Sequence, residues 1–482
     1  MKDSYKKIHF VGIGGIGMSA LARYYMSAGC EVSGSDGSDS EILSELKKEG
    51  ADIKISHNLE NVPSDIDLLV YTVAVPSDNP ELLKGIEFAN DIDREKKCRV
   101  LTYAQALGEM SNDKKVIAVC GTHGKTTTTA MTFSALSNAG LNVSMIVGSL
   151  IKVKDINTGE YKMTNYVTSG DMNNLDYLII EACEYRKSFL NYNPEIILLT
   201  NIDADHLDYY KDLKDIQNAF GEFINKLPEN GKLIIHKNEE NVVDFILNPE
   251  QEIGLLKKEI EEKGNRILIN KKNIKKVRCE DYIKESDVIL SVPGLHNRKN
   301  AQLVVALGQV LSNESSDDNF NFKIKDGLKN FTGTWRRQEY KGKHFEMECF
   351  DDYAHHPSEI KATLQAFREK LNIEEEKSNT KHKKIIACFM PHLYSRTKLL
   401  FEDFVNAFAD ADEILLLPIY AARENFDPNV NSEMLAREIN NINKKALAFN
   451  NIETLKDYLK INSDENSVVV TMGAGDIYKV YE

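Results

Sequence analysis

Residues 116–129 of the chain read Val116-Ile-Ala-Val-Cys-Gly121-Thr-His-Gly-Lys125-Thr-Thr-Thr-Thr129. The apolar run predicts a buried strand, the glycines predict a tight turn, and a helix is expected to begin at about Thr126. Such a turn directs backbone N–H groups and the positive end of a helix at a phosphate. Lys125 would add a positive charge for the terminal phosphates, and the Thr126 hydroxyl can ligate Mg²⁺. The segment predicts a nucleoside triphosphate site, although Val119 replaces the first glycine of the strict GxxxxGK[ST] pattern.

A second glycine-rich loop, Gly12-Ile-Gly14-Gly15-Ile-Gly17, follows the apolar run Lys7–Val11. It satisfies the pattern GxGxxG, and Asp36 closes the next predicted strand, where an acid that binds ribose would lie. The pattern fits NAD, another pyrophosphate ligand, or simple close packing of a strand on a helix. A hydride-transfer enzyme has no use for an ATP site, so an NAD-dependent oxidoreductase is only the alternative hypothesis.

Composition excludes several classes of protein. The chain has 482 residues, which is longer than a single domain of ~100–200 residues. The net charge of −14 argues against a protein that binds nucleic acid or a membrane surface. The 7 cysteines form no CxxC pair, which argues against a disulfide framework or a zinc ribbon. No apolar run reaches the ~18 residues of a membrane span. We expect a cytoplasmic protein, and the sequence leaves open whether it is a monomer or a homodimer.

Strand-like and helix-like segments alternate through most of the chain, which predicts an α/β fold built on parallel sheets. Polar breaks at Ser111–Lys115 and Ser312–Asn321 suggest domain boundaries. We therefore expect three domains, near residues 1–110, 111–325 and 326–482. The predicted strands are Lys7–Val11, Glu31–Gly34, Leu68–Val73, Val116–Val119, Tyr177–Glu181, Ile196–Thr200, Ile385–Met390, Glu413–Pro418 and Ser467–Met472.

Acidic segments follow two apolar strands of the predicted second domain. One begins at Glu181-Ala-Cys-Glu184, and the other is Asn201-Ile-Asp203-Ala-Asp205-His206-Leu-Asp208. The carboxyl ends of parallel strands are where ligands collect. An isolated acid-rich loop is more often solvated surface, but these two lie behind a phosphate loop. Glu181 and His206 are therefore candidate metal ligands.

The predicted third domain carries three polar clusters. Arg336 and Arg337 stand at its entrance and suit bidentate contact with a phosphate. The other clusters, Asp351-Asp352-Tyr353-Ala-His355-His356 and His392-Leu-Tyr394-Ser395-Arg396, each follow a strand-like run. A hydrogen-bonded structural role is the alternative for any one of these residues.

The motifs resemble, in type and in order, those of the Mur ligases, and the resemblance extends over essentially the whole chain. It rests on the two glycine-rich loops, Glu181-Ala-Cys-Glu-Tyr-Arg186, Asp205-His-Leu-Asp208, Pro293-Gly-Leu-His-Asn-Arg-Lys-Asn-Ala301, Asp351-Asp-Tyr-Ala-His-His-Pro357 and Met472-Gly-Ala-Gly-Asp-Ile477.

The resemblance implies a Rossmann-like N-terminal domain for the UDP end of a sugar nucleotide and a central P-loop domain for ATP and Mg²⁺. It also implies a Rossmann-like C-terminal domain that closes over the site and receives the amino acid. The chain is most similar to the members that join L-alanine to UDP-N-acetylmuramate in peptidoglycan assembly. The rival within the family is the recycling ligase that attaches a tripeptide to the same sugar nucleotide.

The resemblance also implies a role for individual residues. Those implied to bind ATP are Gly121, Thr122, His123, Gly124, Lys125, Thr126, Thr127, Asn297, Arg298, Arg337 and one of Asp351 or Asp352, with Asp352 preferred. Those implied to bind the sugar nucleotide are Gly12, Gly14, Gly15, Gly17 and Asp36. Those implied to orient alanine are Tyr353, His355, His392 and Arg396. The implied metal ligands are Thr126, Glu181 and His206, and the implied catalytic groups are Lys125, His206, His355, His392 and Arg396.

Two departures from the family pattern stand out. Some members have arginine where this chain has Leu393, and no lysine here can be assigned to the carbamylated lysine that sister ligases use. The implied chemistry is attack of a lactyl carboxylate on ATP, followed by attack of the alanine amine on the acyl phosphate. Two like charges 4 Å apart repel by ~4 kcal/mol at an effective dielectric constant of about 20, which is why cations are needed. Either His355 or His392 could accept the proton of alanine.

Overall fold

The computed structural model describes residues 5–94, 97–154, 161–207, 209–237, 239, 241–242, 275–378, 383–422, 424–442, 444–462 and 464–482. Asp208, the last residue of the second acidic segment, lies outside the described residues. Within them the strands form three mainly parallel sheets flanked by helices. The expected α/β architecture, with a Rossmann-like sheet at each end and a phosphate-loop sheet between them in the sequence, is confirmed.

The first sheet has the strand order β3-β2-β1-β4-β5, and all of its strand pairs are parallel. The order reverses between β1 and β4, so the glycine loop after β1 opens where ligands bind in doubly wound sheets. Its strands are β1 (Lys7–Val11), β2 (Glu31–Asp36), β3 (Asp52–Ile55), β4 (Leu68–Tyr71) and β5 (Arg99–Thr102). Its helices are α1 (Ile16–Ser27), α2 (Glu41–Lys48), α3 (Pro80–Asn90) and α4 (Tyr103–Ser111).

The second sheet has the order β12-β11-β10-β6-β9-β7-β8, and only the pair β7–β8 is antiparallel. Its strands are β6 (Val116–Cys120), β7 (Val143–Lys154), β8 (Tyr161–Thr168), β9 (Tyr177–Glu181), β10 (Ile196–Leu199), β11 (Lys232–Ile235) and β12 (Lys275–Arg278). The following helices are α5 (Lys125–Asn138), α6 (Leu213–Ile224), α7 (Leu295–Ser312) and α8 (Phe320–Lys329). Since β6 lies between β9 and β10, the loops that follow these three strands meet at one edge.

The third sheet has the order β13-β14-β18-β15-β16-β17, with β13 and β14 antiparallel. Its strands are β13 (Glu339–His344), β14 (Met347–Asp352), β15 (Lys384–Phe389), β16 (Glu413–Leu416), β17 (Lys445–Ala448) and β18 (Ser467–Met472). Its helices are α9 (Pro357–Ser378), α10 (Tyr394–Leu399), α11 (Phe401–Asn406), α12 (Ser432–Asn441) and α13 (Ile452–Ile461).

The chain divides into two compact units. The first unit comprises residues 1–284 and 302–328, and the second comprises residues 285–301 and 329–482. The first two sheets belong to the first unit and the third sheet belongs to the second. Three domains at residues 1–110, 111–325 and 326–482 stay a proposal about this arrangement. In the part of the chain that the structure describes, no helix combines the length and the apolar character needed to cross a membrane.

Every strand predicted from the sequence is present, with ends that differ by no more than a few residues. The apolar runs succeed because these strands are covered on both faces and therefore need no polar alternation. All five residues of β6 are buried, for example. The hairpins β7–β8 and β13–β14 were not predicted, because their strands mix polar and apolar residues; β8 and β13 are the edge strands of the two hairpins.

A buried carboxylate links the strands of the first sheet. Glu81 in α3 is fully buried and accepts hydrogen bonds from Asn58 N at 3.0 Å and Asn61 Nδ2 at 2.6 Å. It also contacts His9 Nε2 of β1 at 3.2 Å and accepts from the Ser35 hydroxyl of β2. Burial alone would raise the pKa of Glu81, but the hydrogen bonds led by His9 and Ser35 outweigh it and lower the pKa to about 2.

We predict that Glu81→Gln lowers the free energy of unfolding at pH 7 by about 2–3 kcal/mol. A carboxylate whose pKa is lower in the folded state stabilises the protein above its unfolded pKa. The difference between the variant and the parent should therefore shrink as the pH falls from about 4.5 towards 2. Urea unfolding followed by circular dichroism at several pH values measures it. Glu45→Gln, on the exposed face of α2, is the control and should show little effect; a difference for Glu81→Gln that does not change with pH would contradict the prediction.

Candidate functional site

The phosphate loop joins β6 to α5 through two glycines with positive φ. Gly121 has φ +135° and Gly124 has φ +83°, and the helix begins at Lys125, one residue earlier than expected. A Cβ atom at Gly121 would lie 2.0 Å from Thr200 Oγ1, so this position has no room for a side chain. Thr126 and Thr127 are buried in the first turn of α5.

Residues that follow β10 hold the loop in place. Asn201 accepts from His123 N at 2.9 Å through Oδ1 and from Thr122 N at 3.0 Å through its backbone oxygen. The hydroxyl of Thr200 donates to His123 O at 2.6 Å, and His123 Nε2 lies 3.3 Å from Asp203 Oδ2. The second acidic segment therefore shapes the phosphate loop. The sequence did not indicate that role for Asn201.

Lys125 folds back over its own loop. Its ammonium group donates to Gly121 O at 2.7 Å, to Thr122 O at 2.8 Å and to the carboxylate of Glu184 at 3.0 Å. Burial opposes the charge on this lysine, but Glu184, with help from Glu181, outweighs burial and raises the pKa of Lys125 above its usual value. The lysine therefore stays positively charged at neutral pH.

Glu181 and Thr126 form the part of the site that suits a hard cation. Thr126 Oγ1 donates to Glu181 Oε1 at 2.8 Å, and Gly148 N donates to Glu181 Oε2 at 2.6 Å. A carboxylate and a hydroxyl from the phosphate loop are oxygen ligands of the kind that Mg²⁺ uses beside nucleotide phosphates. These two residues fit the metal role that the sequence predicted for them.

Glu184 and His206, from the segments after β9 and β10, lie close to each other. His206 has φ +53°, its Nε2 is 3.7 Å from Glu184 Oε1, and its ring lies 4.8 Å from that of Tyr185. Glu184 Oε2 is buried and accepts no hydrogen bond from the described residues, although it is 3.0 Å from Lys125 Nζ. The sequence motif contained Glu184 but gave it no role; its position three residues after Glu181 was the available signal.

The N-terminal glycine loop is held by the acid at the end of β2. Gly14 N donates to Asp36 Oδ2 at 2.9 Å, and Gly12 has φ +82°. A Cβ atom at Gly14 would lie 2.9 Å from the same carboxylate oxygen. Asp36 therefore positions the loop, which is a role other than the ribose contact that the GxGxxG pattern suggests. The four glycines expected to bind the sugar nucleotide lie between the end of β1 and the first turn of α1. They are Gly12, Gly14, Gly15 and Gly17.

In the second unit, the two arginines at the start of the predicted third domain differ in the contacts that their guanidinium groups make. Arg336 is buried, and its guanidinium donates to Asp351 Oδ2 at 2.6 Å and to the backbone oxygens of Gly473 and Gly475 at 2.7 and 2.9 Å. Arg336 is thus a structural anchor. Arg337 lies against the ring of Tyr353, with 5.5 Å between Cζ and the ring centre.

The two neighbouring aspartates also differ in the groups that donate hydrogen bonds to them. Asp351 is engaged by Arg336, whereas Asp352 accepts from Gln338 N at 3.0 Å and from Ala354 N at 2.8 Å. Burial raises the pKa of Asp352 to about 6, although Arg337 opposes the shift. Both oxygens of Asp352 accept hydrogen bonds within the second unit, and a contact of Asp352 with a ligand stays a prediction.

Asn297 and Arg298 lie in the first turns of α7. Asn297 is buried, and its Nδ2 donates to Pro293 O at 2.6 Å. Arg298 pairs with Glu285 and, at 3.1 Å, with Glu369. Both side chains are therefore held by other residues of the second unit. A contact of these residues with adenine stays a prediction.

The four residues expected to orient alanine form a cluster of rings around one guanidinium. Rings of Tyr353 and His355 lie 5.3 Å apart, and those of His355 and His392 lie 5.9 Å apart at 87°. His392 also stacks on Tyr420 at 5.8 Å, and Arg396 Nη1 is 3.0 Å from His392 Nδ1. Tyr420 was not predicted, because it follows a different strand, β16.

Leu393, the departure from the family pattern, is buried and has φ +71° at the start of α10. Its backbone N–H donates to Tyr420 O at 3.0 Å. The residue therefore supports the ring cluster through its backbone.

Comparison with known proteins gives a consistent result over the whole chain. Three family models match: the Mur ligase family catalytic domain at residues 7–115, the Mur ligase middle domain at residues 119–308, and the Mur ligase glutamate ligase domain at residues 336–475.

Individual relatives agree with the family models. A UDP-N-acetylmuramate–L-alanine ligase from Clostridium perfringens is 38% identical over 490 aligned residues, covering 100% of this chain and 98% of that protein. One from Clostridium botulinum is 40% identical over 489 residues, with coverage of 100% and 98%. The crystal structure of UDP-N-acetylmuramate-alanine ligase from Thermotoga maritima superposes with a TM-score of 0.69 at 25% identity and covers 99% of this chain and 97% of that one.

We predict that Glu181→Gln weakens the binding of an ATP analogue in the presence of Mg²⁺ by roughly tenfold or more. The reason is loss of a charged ligand beside the Thr126 hydroxyl. Titration calorimetry with and without Mg²⁺ gives the two affinities, and Glu222→Gln, in α6, is the control. If Glu181→Gln kept the full effect of Mg²⁺ on affinity, its role as a metal ligand would be excluded.

Proposed function

Because this chain belongs to the Mur ligase family, we propose that it catalyses the ATP-dependent ligation of L-alanine to UDP-N-acetylmuramate, the first step of stem-peptide assembly in peptidoglycan. The observation that carries the proposal is the partly buried, charged Lys125 of the phosphate loop beside Glu184, with Thr126 on Glu181. This arrangement suits transfer of a terminal phosphoryl group. Both sugar-nucleotide synthesis and ATP supply are cytoplasmic chemistry, so we expect the enzyme to act there.

One feature supports L-alanine as the amine. The relatives at 38% and 40% identity that align over the whole chain are both named alanine ligases. A murein peptide ligase from Psychrobacter arcticus has the same fold, with a TM-score of 0.64, at 21% identity, which supports the shared architecture only. The recycling ligase therefore remains the rival to be tested.

The first step brings two groups of like charge together. A carboxylate oxygen of UDP-N-acetylmuramate attacks the terminal phosphorus of ATP, the bond from that phosphorus to the bridging oxygen breaks, and ADP leaves. Lys125 and the N-terminus of α5 offset the repulsion between carboxylate and triphosphate. Bound Mg²⁺, held by Thr126 and Glu181 in this proposal, would add positive charge at the same place.

The second step needs a base for the amine of alanine. The nitrogen attacks the acyl carbon, phosphate leaves, and the amine gives up a proton. His355 Nδ1 lies 3.0 Å from Tyr353 O, which can only accept, so Nδ1 carries the proton and the lone pair is on Nε2. In His392 the lone pair is on Nδ1, because that atom faces the donor Arg396. We therefore assign the base to His355 and a positioning role to His392.

One assay separates the candidate functions. Phosphate release from ATP is measured with UDP-N-acetylmuramate alone, with L-alanine added, and with the tripeptide in its place, beside a test for NADH consumption. Release that requires the sugar nucleotide and L-alanine supports the proposal. Release only with the tripeptide would favour the recycling ligase, and NADH consumption without phosphate release would favour an oxidoreductase.

We predict that Lys125→Ala lowers kcat by roughly 100-fold or more and leaves KM for UDP-N-acetylmuramate nearly unchanged. The lysine acts on the phosphoryl group and does not contact the sugar. Lys115→Ala, at the exposed start of the same strand segment, is the control and should keep parental kinetics. Comparable loss of turnover and of sugar-nucleotide binding would count against the role of Lys125.

We also predict that His355→Gln lowers kcat by roughly 100-fold and leaves the first step intact. Exchange of the bridging oxygen of labelled ATP, which reports only the first step, should persist in this variant. His392→Gln is the comparison: it should raise KM for L-alanine and keep kcat near the parental value. The assignment is wrong if kcat falls in His392→Gln and is kept in His355→Gln.

A further inference from the structure

A cluster of three side chains lies at the carboxyl ends of β11 and β12, outside the residues used above. His236 follows β11, while Cys279 and Glu280 follow β12. The two strands pair in parallel, so their ends are brought together. The strand β10 separates them from the phosphate-loop strand β6. Nothing in the proposed ligation uses this cluster.

The three potential ligand atoms are close to one another. Cys279 Sγ lies 2.9 Å from His236 Nδ1 and 3.3 Å from Glu280 Oε2. His236 Nδ1 is 3.1 Å from Glu280 Oε1. Cys279 and His236 are buried, and the side chain of Glu280 is 28% exposed. One thiol, one imidazole and one carboxylate thus converge in a mostly buried place that keeps some access to solvent.

Hydrogen bonds can join the three groups when no ion is bound. His236 Nδ1 and the Cys279 thiol can each donate to one oxygen of Glu280. Each of the three groups also has a lone pair that a metal ion can accept once the thiol has lost its proton.

We propose that His236 Nδ1, Cys279 Sγ and the Glu280 carboxylate bind one Zn²⁺ ion. A donor set of sulfur, imidazole nitrogen and carboxylate oxygen is typical of zinc, and water can complete a four-coordinate site. On binding, the Cys279 S–H bond breaks, the sulfur pair bonds to the metal, and the proton passes to solvent.

The role of the ion would be structural. His236 and Cys279 are 43 residues apart in the sequence, and among the described strands β12 stands at the edge of the sheet. A metal bound to both residues closes the intervening segment and fastens β12 to β11. Closing a long segment in this way stabilises a fold by restricting the unfolded chain.

The test uses the full chain. After metal is removed by chelation and the chelator is washed out, the protein is titrated with Zn²⁺ and with Co²⁺. We expect one tightly retained Zn²⁺ per chain by elemental analysis, release of about one proton, and a thiolate-to-cobalt charge-transfer band in the near ultraviolet. Zn²⁺ should raise Tm by at least about 3 °C.

Matched variants assign the signal to this cluster. Cys279→Ser and His236→Gln should lose the band and the retained Zn²⁺, and Glu280→Gln should bind more weakly. Cys98→Ser, another buried cysteine, and Cys183→Ser, beside the phosphate loop, should keep the band. The measurement on the parent protein tests the proposal even if a variant fails to fold. A parent protein with no charge-transfer band and no retained Zn²⁺ would overturn the proposal. A band that disappears in Cys183→Ser would overturn it as well.

Discussion

The residues at the carboxyl edge of the second sheet are organised around one largely buried ion pair, that of Lys125 with Glu184. A charged amine is expensive to bury unless a carboxylate and other acceptors surround it. Here the carboxylate comes from the loop after β9 and the remaining acceptors are backbone oxygens of the phosphate loop itself. The loop, the strand order and the acid after β9 therefore depend on each other.

The order of strands explains why this ion pair can form. Since β6 pairs with β9 on one side and β10 on the other, the residues after all three strands reach the same place. Glu181 then meets Thr126, Glu184 meets Lys125, and Asn201 holds His123. A change in strand order would separate these groups without altering any local motif.

The second unit also contains a buried ion pair, but this pair stabilises the fold and lies outside the phosphate loop. Arg336 is buried against Asp351 and the backbone around Gly473, and this fixes the turn that follows β18. The neighbouring residues take no part in this anchor. Arg337 lies against the ring of Tyr353, and Asp352 accepts from the backbone of Gln338 and Ala354.

Prediction from the sequence was most successful where the physics is local. The apolar runs, the glycine turns and the resemblance to Mur ligases identified the α/β class, the strands and the phosphate loop around Lys125, since each depends on neighbouring residues. The partner of Lys125, the structural role of Arg336 with Asp351, and the meeting of His236 with Cys279 came only from the tertiary structure. Each depends on atoms far apart in the chain that strand pairing brings within hydrogen-bonding distance, and residue spacing alone carries no record of that pairing.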